Sequence, residues 1–107
     1  MAATTIKEFH LLIDDARELE MDYTARTPRE GRMALLAFPV THLYMDHDLG
    51  TDATGYDVLT WALERGCCPE KVYFVTSNPV GRDNMIRALE AYGYEKNGPW
   101  YVKGWRM

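Results

Sequence analysis

The sequence predicts an α/β fold, a mainly parallel sheet with helices on both faces, and two observations carry that prediction. Short apolar runs, nearly continuous, end abruptly in polar clusters, as strands covered on both faces do. Between them lie stretches whose apolar residues recur three and four apart, the spacing of an amphipathic helix. Elements that alternate in this way are joined by right-handed crossovers, which make neighbouring strands parallel.

Residues 9–13, Phe-His-Leu-Leu-Ile, form the first strand and close on Asp14 and Asp15. Leu19, Met21, Tyr23 and Ala25 then alternate with Glu18, Glu20, Asp22 and Thr24, a period of two that predicts an edge strand with one wet face. Little room remains for a helix between these two strands. Thr27-Pro28-Arg29-Glu30 is a capping box with proline at the first helical position, so a helix runs from Pro28 to about Ala37. Gly31 weakens it and Pro39 ends it. Residues 43–45, Leu-Tyr-Met, are the next buried strand, running into Asp46-His47-Asp48-Leu49-Gly50. A polar loop over 51–54 leads to Gly55, after which Tyr56, Val58, Leu59, Ala62 and Leu63 mark a second helix stopped by Gly66. Residues 71–75 repeat the strand pattern and end in Thr76-Ser77-Asn78, before Pro79 starts a third helix lined by Met85, Ile86, Leu89 and Tyr92. Asn97-Gly98 signals a turn, and residues 100–103 make the last strand.

A length of 107 residues suits one domain, taken as 1–107. Apolar and charged fractions of 47% and 26% are those of an ordinary globular protein. A net charge of -4 excludes the electrostatic footprint of non-specific nucleic-acid binding. No membrane span and no signal-peptide core are visible, so a cytoplasmic location is expected. Cys67 and Cys68 are adjacent, which gives neither a disulfide framework nor zinc-site spacing; they read as packing or surface residues. Trp61, Trp100 and Trp105 read as core or surface-covering aromatics, since no basic groove accompanies them.

Open parallel sheets gather functional groups outside the carboxyl ends of their strands, so Asp14, Asp15, Asp46 and Asp48 are expected to crowd one edge. Crowded carboxylates repel unless a cation shares the space, and Mg²⁺ suits oxygen donors that leave positions for water and phosphate. The same acids also serve as turn and helix caps. His47, between two acids, suits either proton transfer or a structural place. Thr76, Ser77 and Asn78 at a helix start suit an anion, a helix cap, or both. Lys103, closing the last strand, is a candidate partner for a metal-held phosphate, with Arg17 and Arg82 as weaker ones.

Asp14-Asp15 after one strand, Asp46 after a later one, Thr76 or Ser77 after the next and Lys103 after the last resemble the layout of response-regulator receiver domains. The local wording is closer to a divergent branch. Asp46-His47-Asp48-Leu49-Gly50, Thr54-Gly55-Tyr56-Asp57-Val58 and Ser77-Asn78-Pro79-Val80-Gly81 with Asn84-Met85 look like the cyclic-phosphate processing receiver-like domains. The resemblance implies a compact receiver-like, flavodoxin-like fold, reduced by loss of the first and last helices. It also departs from the branch, which is associated with a histidine before the serine, where Thr76 stands here.

The expected function is a metal-dependent phosphoesterase acting on a cyclic phosphate or nucleotide-type phosphate. Asp14, Asp15 and Asp46 would hold Mg²⁺, with Asp46, His47 and Asp48 catalytic and Thr76, Ser77, Asn78 and Lys103 on the substrate phosphate. The alternative is a non-catalytic receiver-like binding module that sequesters a phosphorylated ligand or binds and inhibits a protein partner. Partners are thus a phosphate-containing small molecule or cyclic nucleotide, or a protein, and not a membrane. A third reading, an ordinary receiver phosphorylated on Asp46, is weakened by the missing final helix.

Overall fold

The computed structural model describes residues 7–104. In chain order the elements are β1 (His10–Ile13), β2 (Tyr23–Ala25), α1 (Pro28–Ala37), β3 (His42–Met45), α2 (Gly55–Arg65), β4 (Lys71–Phe74), α3 (Pro79–Ala91), β5 (Tyr94–Asn97) and β6 (Trp100–Lys103). They build one six-stranded sheet in the order β2-β1-β3-β4-β6-β5. The first four positions are parallel, with His10 opposite His42 and Ile13 opposite Met45 between β1 and β3. β1 lies between β2 and β3, so the strand order reverses there, and ligands of open α/β sheets bind at that reversal.

Each helix begins on the cap its sequence supplies. Thr27 Oγ1 accepts the Glu30 N–H, Thr54 and Asp57 form a reciprocal capping box, and Asn78 Oδ1 accepts the Gly81 N–H. The carboxylate of Glu30 reaches one residue further back than a capping box requires, accepting from Arg26 N at 2.7 Å. Gly31, which looks like a weakness in a helix, is needed by packing: a Cβ there would lie 2.8 Å from Ile13 Cδ1.

The fold class is as the sequence predicts, but the helices stand differently. All three pack on one face: α1 contacts α2, α2 contacts α3, and their buried residues join Leu11, Ile13, Leu43, Met45, Val72 and Phe74 in one core. The reason is topological. The steps β2 to β3, β3 to β4 and β4 onward all advance across the sheet in one direction, so right-handed crossovers put their helices on the same side. Only the step from β1 to β2 runs backwards, and residues 14–22 cross it without a helix. The alternating side chains of the strands therefore build a second face from His10, His42, Tyr44, Tyr73 and Trp100. There the Trp100 ring centroid lies 5.2–5.3 Å from those of His42, Tyr44 and Tyr73.

Two local expectations are corrected. Only Tyr23–Ala25 of the alternating stretch is strand, because Asp22 turns back to accept the His10 N–H at 2.7 Å and Leu19 is left exposed. The chain also reverses after α3. Gly98, at φ 63, opens a two-residue hairpin loop, so β6 fills the place beside β4 antiparallel to it. Trp61 packs at the edge of the core, and Trp105 lies outside the described residues. Among the described residues no helix is long and apolar enough to cross a membrane.

Cys67 and Cys68 are free and half-buried, and burial pushes the Cys68 thiol up to about 11. A thiol so placed is poorly ionised near neutral pH. Cys68 is therefore expected to react with iodoacetamide at pH 8 far more slowly in the native protein than in urea, as mass spectrometry would show. In the core, Leu59→Ala is expected to cost about 2–5 kcal/mol by urea titration. Leu36→Ala, at a position 64% exposed, should stay within about 0.5 kcal/mol of wild type.

Candidate functional site

The site is built where β1 and β3 end. Their ladder runs one residue past the strands: Asp14 N donates to Ala25 O and Asp46 N to Ile13 O, each at 3.0 Å. The two aspartates thus leave the sheet side by side, Asp14 1% and Asp46 7% exposed. Asp15, the next residue, is exposed. One carboxylate oxygen from each of Asp14, Asp15 and Asp46 lies within 4.8 Å of the others.

A cation already stands among them. Arg17 Nη1 is 2.7 Å from Asp14 Oδ2 and 3.6 Å from Asp46 Oδ2. Asp14 Oδ1 accepts the backbone N–H groups of Ala16 and Arg17 at 2.9 and 3.0 Å. Burial pushes the Asp14 carboxyl up, but these two backbone donors and the guanidinium outweigh it and hold its pKa below the usual carboxylate value. Arg17 is raised in turn, first by its bond to Asp14. Arg26 fixes the segment, donating to Asp14 O and Arg17 O at 3.2 and 2.7 Å while its second Nη pairs with Glu18.

Glycines let the other loops close in. Gly55 N donates to His47 O at 2.7 Å, and a Cβ at Gly55 would fall 1.9 Å from Asp46 O. A Cβ at Gly50, which has φ +70, would come within 3.0 Å of Asp15 Oδ2. His47 is turned away from the carboxylates: a Cβ at Gly81 would lie 2.3–2.6 Å from its ring atoms. Its Nδ1 is buried and has no hydrogen-bond partner among the described residues. That placement suits a packed histidine better than a proton carrier beside Asp46.

The β4 loop reaches the same edge, since Val75 N donates to Met45 O at 3.0 Å. Thr76 Oγ1 accepts the Asn78 N–H at 3.1 Å, and Asn78 Nδ2 donates to Asp48 Oδ2 at 3.3 Å. Thr76, Asn78 and Asp48 thereby tie the β3 and β4 loops together. Ser77 is exposed beside them. Lys103 is not part of this assembly. Because β6 runs antiparallel to β4, Lys103 N donates to Glu70 O, at the amino end of β4 and the opposite edge of the sheet. Its ammonium lies 5.6 Å from the Tyr94 ring centroid.

The donor set fits a hard divalent ion. Three carboxylates with oxygens this close, one of them exposed, are the kind of ligands Mg²⁺ takes while keeping its waters. The glycines were the part missed from sequence. Gly50, two residues after Asp48, carried a local signal, whereas Gly81 is 33 residues from the nearest aspartate of the cluster and meets His47 only in space.

The family described as "Cyclic-phosphate processing Receiver domain" has a model that matches residues 9–91. A search of curated proteins gives no match. The matched span contains the three carboxylates, Arg17, His47 and the Thr76–Asn78 loop, and stops before β6 and Lys103.

Arg17→Gln is expected to lower stability at pH 7 by about 1–2 kcal/mol, a charged hydrogen bond discounted for the partial exposure of Arg17. The sign follows from Asp14: its folded pKa is depressed, so its contribution is present above the ordinary value of 3.8 and lost as pH falls through the folded one. Urea titrations of wild type and variant should therefore converge towards pH 3.

Proposed function

The chain belongs to the cyclic-phosphate processing receiver family, and from that premise we propose that it is a metal-dependent phosphoesterase acting on a cyclic phosphate. The observation that carries this reading is the convergence of Asp14, Asp15 and Asp46 around Arg17 at the reversal between β1 and β3. Asp14, Asp15 and Asp46 would hold Mg²⁺, which when bound supplies charge neutralisation and Lewis acidity at a phosphoryl oxygen.

The chain's own residues do the rest. Arg17 is the partly exposed cation of the site: its longer, 3.6 Å ion pair with Asp46 can give way to a phosphate oxygen while Asp14 keeps its backbone donors. It would take the part expected of Lys103. The Ser77 hydroxyl and the amino end of α3 offer hydrogen-bond donors to the same anion. Asp48, exposed and on the same loop as Asp46, is better placed than the packed His47 to take a proton from water.

A second reading is favoured by one specific arrangement. His47 is held against Gly81, so Asp48 is the one exposed group of the expected catalytic three, and the set for proton transfer is thin. A module that binds a phosphorylated ligand without consuming it needs the carboxylates and Arg17 but no aligned base.

Purified protein incubated with Mg²⁺ and a panel of 2',3'-cyclic and cyclic dinucleotide phosphates is expected to turn over at least one of them. Asp46→Asn should fold normally and lose metal-dependent turnover. Retention of a ligand without product would select the binding module. Millimolar Mg²⁺ should also raise the melting temperature of wild type and not of Asp15→Ala, since an ion bound only by the folded state stabilises it by mass action. Equal responses would remove the carboxylate site.

A further inference from the structure

At the opposite end of the same two strands lies a second cluster, independent of the phosphate site. Glu8, His10 and His42 each place one ligand atom within 4.8 Å of the others. The parallel register sets His10 directly across from His42 on the helix-free face, and the rings stack with centroids 4.3 Å apart and planes inclined by 17°, so both must turn out of the stack for their in-plane lone pairs to meet on one ion. We propose that these three residues form a zinc-class metal site, His₂Glu, with one coordination position left open.

The hydrogen bonds around the rings support it. His10 Nδ1 is 2.9 Å from Tyr44 Oη, and His42 Nδ1 is 2.8 Å from Thr41 Oγ1. Histidines that bind metals use one ring nitrogen and have the other hydrogen-bonded to a neighbouring polar group, and here both Nδ1 atoms have a hydroxyl within hydrogen-bond distance. The Thr41 hydroxyl is itself anchored, accepting the Phe9 N–H at 2.7 Å and donating to Phe9 O at 3.2 Å. With its proton on Phe9 O, His42 Nδ1–H is the donor to Thr41 Oγ1, and His42 Nε2 keeps its lone pair. On the other ring, Nε2 lies 2.9 Å from Glu8 Oε1. A metal ion would replace the proton shared there and release it on binding.

Two imidazoles and one carboxylate are the donors of catalytic zinc sites, which keep a further position for water or substrate. Magnesium prefers all-oxygen sets, so this cluster and the aspartates at the other edge select different ions. The open position has space beside it. A cavity of about 410 Å³ is lined by Glu8, Val40, Thr41, His42, Glu70 and Lys71. Lys71, opposite His42 in the β3–β4 register, brings an ammonium to that space and suits an anionic fourth ligand.

The test is calorimetric titration of the full chain with ZnCl₂ at pH 7.5. Wild type is expected to bind one Zn²⁺ at this cluster. His10→Gln and Glu8→Gln, at exposed or half-buried positions, should each weaken binding by at least about 10²-fold, more than loss of an outer-shell partner costs. Tyr44→Phe should weaken it by about 10-fold. Asp46→Asn should leave it unchanged, which separates this site from the phosphate site. In NMR, zinc should shift the Nε2 resonances of both His10 and His42. Absence of zinc binding, zinc affinity that follows Asp46 rather than His10, or ring resonances unmoved at saturation would each overturn the proposal.

Discussion

The parallel register of β1 against β3 is the constraint on which the rest depends. With Ile13 opposite Met45, the next residue of each strand is an aspartate, and neither can move apart without breaking the ladder bond from Asp46 N to Ile13 O. Asp14 is then a carboxylate only 1% exposed, a state that is costly unless donors surround it. Two backbone N–H groups and the Arg17 guanidinium provide them. They can do so because residues 14–22 form an irregular connection in place of a helix. The chain turns immediately after Asp14 and brings Arg17 back over it, and Arg26 on the far side of β2 clamps that turn by two carbonyls.

Much of this was legible in the sequence for simple reasons. Apolar runs that end in aspartates mark strands whose carboxyl ends share an edge, so residue order alone places Asp14, Asp15 and Asp46 together. Caps at Thr27, Thr54 and Asn78 are read directly from residue type and spacing. Other features depend on contacts distant in sequence. Gly31 looks like a helix weakness, and Gly55 and Gly81 have no evident packing role, until the atoms they admit are known: the Ile13 side chain, the Asp46 carbonyl and the His47 ring. His47 illustrates the limit well. Its neighbours in sequence are acids, but its neighbour in space is the start of α3.

The sharpest departure comes from a two-residue loop. Asn97-Gly98 was readable as a turn, and a turn of that kind joins antiparallel strands; the consequence for Lys103 follows at once. β6 occupies the place that a fifth parallel strand would take, but points the other way, so the lysine that closes it arrives at the amino ends of the strands. Arg17 supplies positive charge from the other flank of the site. One cation in place of another keeps the charge balance of the carboxylates while changing the direction from which a phosphate is met. Arginine also offers a forked pair of donors where lysine offers a point charge, which favours binding two phosphate oxygens together.

The reversed backward step from β1 to β2 has a second effect, on the face opposite the helices. A helix there would bury His10 and His42 under apolar side chains; without one, the face carries stacked histidines, Tyr44, Tyr73 and Trp100, held by aromatic contacts and by hydroxyl groups. From His10 to Asp14 is four residues, about 13 Å of extended chain. The same strand pair therefore carries nitrogen donors at one end and only carboxylates at the other, and any ion held at either end would tie β1 to β3.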